Sequence, residues 1–152
     1  MTRSKSDTQI FLLDTNPFIS AIKHPRKKTG TLRLILYIIQ DPNLRLVGND
    51  LLVEEMARYA ELFRSETAAT LLYALIAKME LIHVQQNHIK ICKSYMETPD
   101  KMDILHAATC LQTNAVLISN DHHFHHIREE GIISVWTATQ AISKLLKRRE
   151  EK

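Results

Sequence analysis

The chain has 152 residues and a net charge of +3, with 45% hydrophobic and 24% charged residues. These proportions are typical of a globular domain with one core, and they exclude a disordered or fibrous chain. Three glycines are too few for an all-β fold rich in tight turns or for a glycine-rich phosphate loop. The mildly basic charge permits a nucleic-acid partner without requiring one.

No apolar run approaches the roughly 18 residues of a membrane span, and residues 1–9 are polar with no signal-peptide core. We therefore expect a cytoplasmic protein that does not enter a membrane. Cys92 and Cys110 both lie in apolar, helix-like segments. They are expected to be buried free thiols, with a disulfide as the alternative.

Short β-rich runs alternate with helical segments along the chain. Strands are predicted at residues 10–13, 44–47, 80–84, 115–118 and 132–136. Helices are predicted at residues 31–40, 51–63, 66–79, 86–95, 99–113, 122–130 and 138–149, with Thr98 as the N-cap and Pro99 as the first residue of 99–113. Strands separated by helices pair in parallel, so we expect one domain over residues 1–152, a three-layer α/β/α sandwich.

Two acidic residues follow predicted strands. Asp14 comes directly after residues 10–13, and Asp121 comes shortly after residues 115–118. Ligands of parallel sheets bind beyond the carboxyl ends of the strands, so both positions are suited to a site. Each acid also has a simpler role, Asp14 as a turn residue and Asp121 as a helix N-cap.

A third acid, Glu55, lies on the inward face of a predicted helix. It falls on the apolar stripe that includes Leu52 and Tyr59, whereas Glu54 lies on the polar side and can pair with Arg58. An inward carboxylate is costly unless it is paired or bound to a metal. We therefore favour Glu55 over Glu54 as a site residue.

A fourth acid, Asp103, lies one turn into the predicted helix 99–113, among small apolar residues. Such a helix packs closely, so this carboxylate also needs a partner. Asp100 is explained by its favourable interaction with the helix dipole, and an accessory role for it stays open.

These four acids, Asp14, Glu55, Asp103 and Asp121, would repel one another if they converged without a cation. Ligand sets made only of oxygen suit Mg²⁺ or Mn²⁺. Such an ion lowers the pKa of water and holds a phosphate for in-line attack. The sequence therefore predicts a metal-dependent phosphodiesterase site.

Four segments that carry these acids resemble the PIN-domain nucleases, and in particular the small VapC-like toxins. They are FLLDTN at residues 11–16, LVEEM at 52–56, DILHAAT at 103–109 and VLISND at 116–121. Each segment is short, but their order and spacing together are specific. The resemblance extends from residue 10 to about residue 136.

The resemblance implies a parallel sheet of four or five strands and an endoribonuclease that uses Mg²⁺ or Mn²⁺ to cut single-stranded or structured RNA. It makes Asp14, Glu55, Asp103 and Asp121 the acidic quartet. Thr15, Asn16 and Ser119 would assist by hydrogen bonding to the acids or the substrate. It also implies an antitoxin protein as partner and a homodimer. The helices predicted at 51–63 and 66–79 are one candidate for a dimer face, which the sequence does not decide.

Several other features have more than one interpretation. His122 and His126, four residues apart, can ligate a soft metal, and the histidine-rich segment 122–126 can equally contact RNA. His106 is expected to be a core histidine near the site. The basic segment 23–28 is either a solvated loop or a contact for phosphates.

Two rival functions remain. A haloacid-dehalogenase phosphatase needs Asp-x-Asp after its first strand, and this chain has Asn16 at the second position. The stronger rival is a catalytically silent nuclease fold that serves as an RNA-binding or protein-interaction module. Retention of all four acids argues against it.

Overall fold

The computed structural model describes residues 9–23, 29–97 and 100–147. Its sheet consists of β1 (Gln9–Leu13), β2 (Leu44–Gly48), β3 (Met79–Leu81), β4 (Val116–Ile118) and β5 (Ser134–Trp136). The strand order is β3-β2-β1-β4-β5, and every neighbouring pair is parallel. The predicted parallel sheet is confirmed, with five strands.

The sheet grows outward from β1 in two directions. The chain first adds β2 and β3 on one side of β1, and then returns to add β4 and β5 on the other. The junction of β1 and β4 is therefore the topological switch point, where ligands of open parallel sheets bind.

Helices cover both faces of this sheet. They are α1 (Thr15–Lys23), α2 (Gly30–Gln40), α3 (Asp50–Phe63), α4 (Glu66–Lys78), α5 (Gln86–Tyr95), α6 (Lys101–Thr113), α7 (His125–Glu129) and α8 (Ala138–Ile142). One layer contains α1 to α4 with α8, and the other contains α5, α6 and α7. Right-handed crossovers require this division, because the chain reverses its direction across the sheet after β3. The predicted three-layer sandwich is confirmed.

The core is centred on β1. Phe11, Leu12 and Leu13 are consecutive and completely buried, as expected of a central parallel strand covered on both faces. Cys92 and Cys110 are buried free thiols, as predicted. Within the described ranges, no helix has both the length and the apolar character required to cross a bilayer.

Helix α1 was not predicted from the sequence. The composition of the residues after Asp14 predicts a turn, but α1 begins at Thr15, whose backbone N–H donates to Asp14 Oδ1 at 2.8 Å. Pro17 is tolerated because N–H groups of the first turn have no helical acceptor. Phe18 and Ile22, four positions apart, lie on the buried face of the helix.

The predicted start of α6 is wrong. The helix begins at Lys101, and the side chain of Asp100 caps it by accepting the Met102 N–H at 2.9 Å. An aspartate at the N-cap satisfies a helix-end donor directly, which is a stronger role than the predicted dipole interaction. Thr98 and Pro99, predicted to begin this helix, lie outside the described residues.

The other differences concern boundaries. Strand β3 ends at Leu81, before the predicted residue 84, and the predicted helix 122–130 divides into a 3-10 turn at His122–Phe124 followed by α7. Helix α8 continues into a π-helical turn at Ser143–Lys147. Most of the basic segment 23–28, and residues 148–149 of the last predicted helix, lie outside the described residues.

Gly48, at the end of β2, packs against the Met79 side chain. A Cβ atom at this position would overlap Met79 Sδ and lie 3.1 Å from Met79 Cγ. We therefore expect Gly48→Ala to lower the free energy of unfolding by about 1–3 kcal/mol, measured by denaturant titration. If the overlap is the cause, Met79→Ala lowers the free energy of unfolding by less in the Gly48→Ala protein than in the wild type. Additive costs would contradict this explanation.

Candidate functional site

Asp14 and Asp121 are joined through Ser119 at the switch point. Ser119 Oγ donates to Asp14 Oδ2 at 2.6 Å and accepts the Asp121 backbone N–H at 3.1 Å. Asp14 is only 5% exposed, and its other oxygen accepts the Thr15 N–H. Because β1 and β4 are adjacent and parallel, their carboxyl ends bring these residues together.

Asp103 reaches the same place from the first turn of α6. Its Oδ2 lies 2.9 Å from His123 Nδ1, which in turn lies 3.3 Å from Asp121 Oδ1. Asp103 is 8% exposed. One imidazole therefore contacts two carboxylates that come from different elements.

Burial and mutual repulsion make the charged forms of two of these acids unfavourable. The pKa of Asp103 is raised to about 6, mainly by burial. The His123 hydrogen bond acts in the opposite direction, and the nearby negative charges of Asp100, Asp121 and Asp14 contribute to the rise. Burial likewise raises the pKa of Asp14, the Ser119 and Thr15 hydrogen bonds lower it, and the charges of Asp121 and Asp100 raise it. The carboxylates of this electrostatic environment are therefore those of Asp14, Asp100, Asp103 and Asp121.

Glu55 stands apart from this group. Its side chain is 19% exposed, and its Oε2 lies 3.9 Å from an Arg58 guanidinium nitrogen. Arg58 therefore lies near Glu55, whereas the sequence predicted that it would pair with Glu54. The charge of Glu55 acts on His106, as does that of Asp100. Glu55 is therefore close enough to His106 for its charge to act on that ring, and no hydrogen bond or ion pair among the described residues joins it to Asp14, Asp103 or Asp121.

Asn49, which the sequence analysis missed as a site residue, connects α3 to α6. Its Oδ1 caps α3 by accepting the Leu52 N–H at 2.9 Å. Its Nδ2 therefore faces α6, where it lies 3.1 Å from both Thr109 Oγ1 and His106 Nδ1. An asparagine before a helical run signals an N-cap, but nothing in the sequence indicates this second set of contacts.

The orientation of Asn49 fixes the protonation of His106. An amide nitrogen only donates, so His106 Nδ1 accepts, and the ring proton lies on Nε2. Burial lowers the pKa of His106 to about 4, which keeps the ring neutral at pH 7. Nε2 is buried and has no hydrogen-bond partner among the described residues. His106 is therefore a core histidine, as expected, that presents one unsatisfied donor.

The three assisting residues are placed differently. Ser119 bonds to Asp14, as described above. Thr15 Oγ1 is buried beside Asp14 and has no partner within the described part of the chain. Asn16 is exposed in the first turn of α1. Only Ser119 makes the expected side-chain hydrogen bond to an acid, and Thr15 offers a free hydroxyl.

The residues present fit a divalent cation. Asp14, Asp103 and Asp121 supply oxygen ligands, and a positive charge would offset the burial and repulsion that disfavour the ionised forms of Asp14 and Asp103. Thr15 Oγ1 is an unsatisfied buried oxygen at the same edge. Another set of possible ligand atoms, on Asp121, His122 and His123, lies within 4.8 Å of one another. His126, which the sequence analysis paired with His122, does not belong to this set and lies in α7.

The profile of the PIN domain family matches residues 11–130, a range that contains all four predicted acids. Among solved structures, a chain of VapBC2 from Rickettsia felis, bound to a DNA fragment from their promoter, aligns with a TM-score of 0.63 at 18% identity, covering 85% of this chain and 98% of that one. A chain of VapBC-1 from nontypeable Haemophilus influenzae aligns with a TM-score of 0.60 at 22% identity, covering 86% and 99%. No curated protein sequence matches significantly. Taken with the shared fold, the profile match shows that the chain belongs to the PIN domain family.

Proposed function

We propose that this protein is a metal-dependent endoribonuclease of the VapC-like toxin type, acting as one domain over residues 1–152. The observation that carries the proposal is the meeting of Asp14, Asp103 and Asp121 at the switch point, where burial disfavours the charged forms of Asp14 and Asp103 unless a cation is present. PIN-domain proteins are generally nucleases that use a divalent metal, which agrees with this chemistry.

In this proposal Asp14, Asp103 and Asp121 hold Mg²⁺ or Mn²⁺. When bound, the ion lowers the pKa of water and stabilises the charge that develops on the phosphate. Ser119 holds the Asp14 carboxylate in one orientation. The Thr15 hydroxyl is a free donor, and exposed Asn16 is placed to contact the RNA. Glu55, the fourth acid, contributes negative charge at the border of the pocket.

The proposal includes two protein partners. An antitoxin is supported by the two structural neighbours, which are both described as VapBC complexes. A homodimer through α3 and α4 is supported by Leu62 and Tyr73, large side chains on these helices that are 69% and 73% exposed. The expected location is the cytoplasm, where RNA is available.

The test is cleavage of a labelled single-stranded RNA by the purified protein, beside a structured RNA and a single-stranded DNA of the same sequence. We expect internal cuts in RNA that stop in EDTA and return when Mg²⁺ or Mn²⁺ is added in excess. RNA that binds but stays intact in both ions would instead support the silent module.

A further inference from the structure

The imidazole of His123 is directed at the site although part of it is open to solvent. The side chain is 39% exposed, yet Nδ1 lies 2.9 Å from Asp103 Oδ2 and 3.3 Å from Asp121 Oδ1. The neighbouring His122 ring is 90% exposed, and its Nδ1 lies 3.8 Å from Asp121 Oδ1. Of these two adjacent histidines, His123 makes the closer approach to both carboxylates.

The backbone holds this ring in place. The His123 N–H donates to Asp121 Oδ1 at 3.0 Å, and the next residue, Phe124, is completely buried. Helix capping accounts for the backbone contact. It does not require the ring nitrogen to turn toward Asp103, since an exposed imidazole can be hydrated on both nitrogens. The contacts of Nδ1 with the Asp103 and Asp121 carboxylates direct the ring toward the site instead.

The distance from His123 Nδ1 to each of the two carboxylate oxygens matches that between neighbouring ligands of one metal ion. Two ligand atoms about 2.1 Å from one octahedral ion, at right angles to each other, are roughly 3.0 Å apart. The two N···O distances, 2.9 and 3.3 Å, lie close to this value. An ion can therefore replace the proton on Nδ1, which is released to solvent, if Asp103 and Asp121 move closer together around it, because Asp103 does not belong to the group of Asp121, His122 and His123 ligand atoms that lie within 4.8 Å of one another.

We propose that His123 is a nitrogen ligand of the divalent ion, together with Asp103 and Asp121, and that it favours a transition-metal ion over Mg²⁺. Mg²⁺ prefers oxygen ligands, whereas imidazole is a ligand for transition metals. The inference rests on the proposed function in one respect, because it places the ion in the same pocket. It adds a ligand outside the acidic quartet and a preference among metals.

The test uses the full-length protein with Mn²⁺ and Mg²⁺. Electron spin echo spectroscopy of bound Mn²⁺ is expected to show imidazole nitrogen coupling in the wild type and in His126→Asn, a control on the exposed part of α7. His123→Asn is expected to lose the coupling. It should also bind Mn²⁺ about tenfold more weakly in calorimetry, while its affinity for Mg²⁺ stays nearly unchanged.

Other outcomes overturn the proposal. Nitrogen coupling that survives in His123→Asn but disappears in His122→Asn assigns the ligand to His122. Absence of coupling in the wild type, or equal loss of Mn²⁺ and Mg²⁺ affinity in His123→Asn, shows that nitrogen does not ligate. Circular dichroism of each variant verifies folding. RNA cleavage with Mg²⁺ can persist in all these cases, so failure here is distinct from failure of the proposed function.

Discussion

Asp14→Asn is expected to lower metal-dependent RNA cleavage by at least about a hundredfold. The substitution keeps the size of the side chain but removes the negative charge with which Asp14 would hold a cation. Its remaining oxygen still accepts the Thr15 N–H, and the Ser119 hydroxyl can rotate to accept from the new amide. Initial cleavage rates in Mn²⁺, measured on the same single-stranded RNA, provide the comparison.

The same substitution should leave the fold intact. A neutral amide at this buried position avoids the cost of a buried charge, so the thermal midpoint should be unchanged or higher. Asp50→Asn is a matched control, since Asp50 is an exposed aspartate in the first turn of α3. Cleavage by Asp14→Asn at the wild-type rate would remove Asp14 from the site. A large fall in its thermal midpoint would make the activity loss uninformative, and Asp121→Asn would then be the decisive variant.

Asn49→Ala is expected to lower the free energy of unfolding by about 2–4 kcal/mol. The truncation removes the cap of α3 and leaves the Leu52 N–H without its acceptor. It also removes the donor to His106 Nδ1 and Thr109 Oγ1, two buried atoms of α6. Urea unfolding followed by circular dichroism measures the loss.

Asn49→Ser separates the two roles of this side chain. A serine hydroxyl can cap α3 but is too short to bridge to α6 in the same way, so it should recover the capping share of about 0.5–2 kcal/mol. The difference between the serine variant and the wild type then reports the bridge between helices. If both variants unfold within about 0.5 kcal/mol of the wild type, the Asn49 contacts do not stabilise the fold.

The sequence predicted the site best where the strand pattern determined position. Asp14 and Asp121 follow strands that are parallel neighbours, and parallel strands present their carboxyl ends at one edge. Their meeting through Ser119 therefore follows from the alternation of strands and helices together with the strand order. The sequence also predicted that Asp103 faces inward, because its helix neighbours are small and apolar.

Helical phase was less informative for Glu55. It correctly placed this residue closer to the interior than Glu54, which is exposed. Phase cannot show what an inward face meets, because that depends on how α3 crosses its neighbours. The structure directs Glu55 toward Arg58 and the environment of His106, so its membership of the quartet remains a prediction.

The sequence pattern did not predict contacts between residues that are far apart in the chain. Asn49 and His106 are separated by 57 positions, and no local signal connects a helix cap to a histidine one layer away. The orientation of His123 depends likewise on where α6 places Asp103. Helix α1 was missed because Asp-Thr-Asn-Pro has the composition of a turn, although Pro17 also fits the first turn of a helix.

The hydrogen bond between Ser119 and Asp14 joins positions 105 residues apart, so the pocket is completed only after β4 has been synthesised. A nascent chain on the ribosome carries Asp14 and Glu55 long before Ser119 and Asp121 are added. It cannot complete the site until β4 and Asp121 have emerged from the ribosome. If the protein cuts RNA, a nascent copy that lacks β4 has an incomplete site and is not expected to cut the transcripts around the ribosome that makes it.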